Sequence, residues 1–99
     1  MVDILKQDDK LICVFSGRLD TINCAKWEKE LLEKAKSENI PVVFDLKNVE
    51  YVASGFLRVC LQVAKIVNTE NLKLINVSDY VKKVFSLSGF DKHLNIEGQ

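Results

Sequence analysis

Apolar residues alternate with polar ones early in the chain and recur every three to four residues further on, so changes of period mark its elements. VDILKQ (2–7) and KLICVFSG (10–17) flank Asp8-Asp9, a turn signal, and predict an opening hairpin. Val2 and Ile4 share a face with Lys6. Leu11, Cys13 and Phe15 alternate with Ile12 and Val14, which predicts a central strand apolar on both faces. Gly17 is expected to break that strand. Asp20 or Thr21 can then cap a helix from Thr21 to about Asn39, with Cys24, Trp27, Leu31, Leu32 and Ala35 at helical spacing. After Pro41, VVFDL (42–46) has the β-rich character of a buried parallel strand, and Asn48–Tyr51 is expected to turn into a second helix. LKLINV (72–77) is the next strand. Ser78 can cap a third helix carrying Val81, Val84 and Phe85, Gly89 stops it, and HLNIEG can add a short last strand. The order β-β-α-β-α-β-α, with a closing β, predicts an α/β domain spanning 1–99. Its sheet is expected to be mixed, with an N-terminal hairpin and three to four helices.

The second helix raises the functional question. Ser54, Arg58, Gln62, Lys65 and Thr69 follow one another at steps of four, four, three and four, and nearly everything between them is apolar. That spacing draws one polar line along a helix otherwise buried, with Ser54 at its head. Serine is a favoured N-cap, worth about 1 kcal/mol over alanine, and from pattern alone the cap reading leads. The alternative is a modification site. A phosphate at a helix N-terminus meets unsatisfied N–H groups and the positive end of the macrodipole, with Arg58 one turn away to pair with it. It would add about −1.5 to −2 charges to a mostly apolar surface and so repel a docked partner.

Composition narrows the function classes. The 99 residues balance 14 basic against 14 acidic side chains, and the lysines alternate with acids, which points away from nucleic acid. Cys13, Cys24 and Cys60 lie far apart without a C-x-x-C pair, so they read as buried reduced thiols, not metal ligands. Charges in MVDILKQDDK sit where a signal peptide needs an apolar core, and no run reaches the roughly 20 apolar residues of a membrane span. The expectation is a soluble cytoplasmic protein. His93, the one histidine, has no nucleophile to pair with; Asp45 has no second acid beside it; no Gly-rich phosphate loop occurs. Neither an enzyme, a metal site nor a cofactor is expected.

Four pieces together resemble the STAS family, found in sulfate transporters and bacterial anti-sigma factor antagonists. They are the G-x-L-D turn (Gly17, Leu19, Asp20), VVFDLKNVEYV, the serine-opened ASGFLRVCLQVAK, and VSDYVKKVFSLSGF. The third usually reads D-S-[SA]-G-L in the antagonists, with its serine as phosphoacceptor, and Ser54 falls at that position. Ala53 replaces the usual aspartate, and Phe56 stands where glycine is typical. The resemblance implies an antagonist that binds a serine-kinase anti-sigma factor while unphosphorylated, releases the sigma factor, and is switched off by phosphorylation of Ser54. A phosphatase acting on Ser54 would reset it. Asp20, Ser54, Gly55, Phe56 and Arg58 are the implied partner-binding residues, although Asp20 also reads as a plain helix cap and Phe56 as core. The missing aspartate lends weight to a second reading, a STAS-like subunit docked permanently on the ATPase of an ABC-type lipid transport complex.

Overall fold

The structure, a computed structural model, describes residues 2–98. Strands β1 (Val2–Gln7) and β2 (Lys10–Leu19) lead into helix α1 (Thr21–Glu38), strand β3 (Val42–Val52) and helix α2 (Ser54–Val67). Strand β4 (Leu72–Val77), helix α3 (Asp79–Leu87) and strand β5 (Asn95–Gly98) complete the order, and short 3-10 turns occupy Thr69–Asn71 and Phe90–His93. The sheet order is β1-β2-β3-β4-β5, with β1 antiparallel to β2 and every later pair parallel. Asp8 and Asp9 both take positive φ (52° and 61°), which a tight two-residue hairpin requires and short acidic side chains tolerate.

Each crossover steps one strand in the same direction. Because such connections are right-handed, all three helices fall on one face of the sheet. That face supplies Leu11, Cys13 and Phe15 from β2, Val42, Phe44 and Leu46 from β3, and Leu72, Leu74 and Val77 from β4, all buried. Phe15 is the hub of the core. Its ring centroid lies 4.9 Å from Phe44, 5.2 Å from Phe56 and 5.3 Å from Trp27, largely edge to face. Phe85 of α3 closes the cluster against Phe56 at 6.5 Å.

Three expectations need correction. Ile12, Val14 and Val43 are only half-buried, because no helix among the described residues covers the second face of the sheet. Gly17 (φ 80°) does not break β2; register shifts on either side of it let the strand run on to Leu19. Asn48–Tyr51 is strand, not turn: Ser16, Gly17 and Arg18 pair with Asn48, Val49 and Tyr51, so β3 continues to Val52. Asp45 therefore lies mid-strand, where its Oδ1 accepts from Lys47 N (3.0 Å) and Asn76 Nδ2 (3.1 Å).

The serine edge of the sheet

The extension of β2 and β3 brings two helix starts together. β2 ends at Leu19 and β3 at Val52, which are register partners, and the Ala53 N–H donates to Leu19 O at 3.0 Å. On one side Asp20 caps α1, its Oδ1 accepting from Asn23 N at 2.8 Å. Between the two candidates, Asp20 and not Thr21 is the cap. On the other side the N-cap of α2 is Ala53, extended at φ −118° and ψ 175°, which has no side-chain acceptor to offer. Ser54 is one residue too late to cap. It is the first residue inside the helix, exposed, and its hydroxyl has no hydrogen-bond partner among the described residues.

Gly55 shows why the two starts can sit so close. A Cβ built there would lie 3.0 Å from Thr21 Oγ1 and 3.1 Å from Thr21 Cα, so glycine permits the first turns of α1 and α2 to touch. Neither first turn carries an acidic side chain. Among the described residues of the two caps and first turns, Asp20 is the carboxylate, and the positive ends of both macrodipoles lie beside Ser54.

Of the partner-binding residues implied by resemblance, this edge holds Asp20 half-buried as a cap and Ser54 exposed, with Arg58 exposed one turn along α2. No ion pair engages Arg58 among the described residues. Gly55 and Phe56 are different. Both are buried, and Phe56, fully enclosed at 0% exposure, belongs to the aromatic core. Its ring faces inward because its helix phase matches Val59, Cys60 and Val63, so it supports the edge from beneath and cannot be touched by a partner.

The polar line along α2 is drier than its composition suggests. Gln62 is half-buried in a groove of about 440 Å³ against Leu32, Glu33 and Lys36 of α1, and Thr69 lies beyond the helix end. Two further residues of the elements that meet here, Ile22 and Arg18, were not among the expected site residues. Ile22, in the first turn of α1, is 76% exposed; its position, two before Cys24, is out of phase with the buried stripe, a signal the sequence did carry. Arg18, the strand partner of Tyr51, stacks its guanidinium 4.3 Å from that ring's centroid. The expected turn at Tyr51 hid this pair.

The thiols take no part in this chemistry. Burial pushes Cys13 up to about 12; burial, then the Asp20 and Glu28 charges, push Cys24 up to about 11; and burial raises Cys60 well above the usual thiol range. Among the described residues no group of His, Cys, Asp and Glu is arranged to hold a metal, and no helix is long and apolar enough to cross a membrane.

The profile of the STAS domain family matches residues 1–98. The chain belongs to the STAS family. Its type is that of the anti-sigma factor antagonists, non-enzymatic regulators. BtrV of Bordetella bronchiseptica, assigned as an anti-sigma factor antagonist, is 34% identical over 87 residues, 86% of this chain and 75% of BtrV. Among solved structures, the anti-sigma-factor antagonist (STAS) domain protein of Planctomyces limnophilus superposes with TM-score 0.86 at 18% identity, over 99% of this chain and 90% of that one. SpoIIAA superposes in its unphosphorylated form with TM-score 0.78 (14% identity, 97% and 87% covered) and, from Bacillus, in its phosphorylated form with 0.70 (14%, 97% and 90%). At these identities the structural likeness speaks for the fold, an α/β mixed sheet with an N-terminal hairpin and three α-helices. An antagonist of this type implies an anti-sigma factor as partner.

Proposed function

We propose that this STAS domain is a partner-switching antagonist whose switch is Ser54. Unphosphorylated, the edge formed by the first turns of α1 and α2 docks on an anti-sigma factor that is also a serine kinase, and the sigma factor is released. Phosphorylation of Ser54 by that kinase ends the contact, and a phosphatase restores it. The observation that carries this reading is the state of the Ser54 side chain: exposed at the first position of α2, with its hydroxyl unengaged and the capping role left to Ala53. A structural serine at a helix start would cap it; this one does not. Arg58 and the start of α2, which has no acid at its cap or in its first turn, would receive the phosphate, so its charge is accommodated by the domain while its bulk and hydration obstruct the partner. That SpoIIAA is known in both phosphorylation states lends support from the family.

The test is capture from native lysate on wild-type, Ser54→Ala and Ser54→Asp baits, followed by titration of the purified captured protein. The expected result is a serine-kinase anti-sigma factor held by wild type and Ser54→Ala and lost at least tenfold by Ser54→Asp. Equal affinity of that kinase for all three baits would refute the switch. A transporter ATPase held by all three would establish the permanent-subunit reading instead.

A further inference from the structure

The face of the sheet that no helix covers is unusual for parallel strands, which are nearly always sheltered on both sides. Here the register lines up two adjacent rows across it. Leu5 pairs with Ile12 and Ile12 with Val43, then Val43 with Lys73; in the next row Asp3 pairs with Val14, Val14 with Asp45, and Asp45 with Ile75. Strand alternation points all of these away from the core, since Val2, Ile4, Leu11, Cys13, Val42, Phe44, Leu72 and Leu74 face the helices. Leu5 is 52% exposed, and Ile12, Val14, Val43 and Ile75 are half-buried only by their neighbours in the sheet. The result is a contiguous aliphatic patch and not scattered single residues.

We infer that this open face associates with a second copy of the chain, sheet against sheet. The charges argue for self-association over another partner. Asp3, on edge strand β1, and Lys73, on β4, stand at opposite ends of the aliphatic rows. A twofold axis along the strands lays β1 of one copy over β4 of the other. Ile12 then meets Val43 twice at the centre, and Asp3 comes beside Lys73 twice at the margins. Each Lys73, already bridged at 2.7 Å to Glu97, gains a second carboxylate, while the stem of the lysine covers Leu5. Asp45, within the patch, enters with two hydrogen bonds to its own chain in place. A chain of zero formal charge offers no net repulsion to this pairing. Four strands at about 4.8 Å spacing, crossed by two rows each about 7 Å deep, give a footprint of roughly 270 Å² in projection. That is well below the ~800 Å² per partner of a standard interface, so the dimer is weak and in exchange with monomer. Its functional weight is bivalency: the helix face of each copy stays open, and one dimer presents two Ser54 edges.

Sedimentation velocity of the purified chain from about 5 to about 500 µM, a range suited to a weak interface, tests this directly. A reversible monomer–dimer equilibrium is expected, weakened at least tenfold by Leu5→Lys and by Asp3→Lys, both at exposed positions that leave the thermal midpoint in place. Ile22→Lys, on the helix side, should leave it unchanged. A monomer throughout the range, or a dimer indifferent to both β1 substitutions, would overturn the inference. The measurement contains no anti-sigma factor, so its outcome is separate from that of the Ser54 experiment.

Discussion

Ala53 and Gly55, on either side of Ser54, each trade local stability for the shape of the edge. Alanine at the N-cap leaves α2 without a side-chain acceptor. Ala53→Asp should therefore add about 1 kcal/mol. In a chain of this size that corresponds to a rise of about 4–8 °C in the thermal midpoint, read by circular dichroism. An unchanged midpoint would mean that the first turn of α2 is satisfied in some other way. Gly55→Ala runs in the opposite direction. Inside a helix the change normally gains up to about 1 kcal/mol. Here the new methyl would press on the Thr21 backbone, which the Asp20 cap holds in place, and overpacking of this kind costs about 1–3 kcal/mol. A net fall in midpoint is expected; a rise would show that α1 can retreat. At this scale the sequence revealed where Ser54 points but not what it does for the helix. Its residue type suits a cap, and only the backbone shows that the cap position falls one residue earlier.

At the scale of elements, the two helix starts act as one electrostatic unit. Thr21 touches Gly55, neither first turn carries an acid, and Ser54 projects beside both. Ser54→Asp should stabilise the isolated domain and Ser54→Lys destabilise it, each by about 0.3–1 kcal/mol at low salt, with the difference shrinking as salt is added. Paired thermal melts at two ionic strengths check this without any partner present; two variants with equal midpoints at low salt would remove the dipole argument. The existence and type of the long elements were legible from period alone. The polar stretch Asn48–Glu50 was not, because its strand character comes from pairing with Ser16, Gly17 and Arg18, residues far away in sequence. Gly17 misled for the same reason: a positive-φ glycine ends an isolated strand but only bends one whose partner follows the bend.

Over the whole molecule, every core side chain lies in one layer between the sheet and the three helices, and the three thiols are buried there. Their raised pKa values link stability to alkaline pH. A thiol whose folded pKa exceeds its unfolded value of about 9 contributes fully below that value, and the contribution fades as pH rises from 9 toward 11 and 12, where unfolded thiols ionise first. Midpoints measured across that range should fall, and fall less in a Cys13→Ala, Cys24→Ala double variant compared with its own neutral-pH value. At pH 8 a thiol reagent should modify the native chain far more slowly than the denatured one. Equal rates would place a cysteine at the surface. The buried thiols were legible in the sequence; the bare second face was not. Ile12, Val14 and Val43 have the composition of a covered strand, and only the common direction of the three crossovers leaves them uncovered.

The uneven pairing of β3 bears on how the serine is reached. Its ladder with β4 covers Val42–Asp45, whereas its ladder with β2 runs on to Val52. Among the described residues, the part of β3 beyond Asp45, which leads to Ser54, is thus held by ladder bonds on one margin only, like a cantilever fixed at its base. Amide protons of Val49–Val52 should exchange sooner than those of Val42–Phe44, and the platform beneath Ser54 can open without melting the sheet from which it projects.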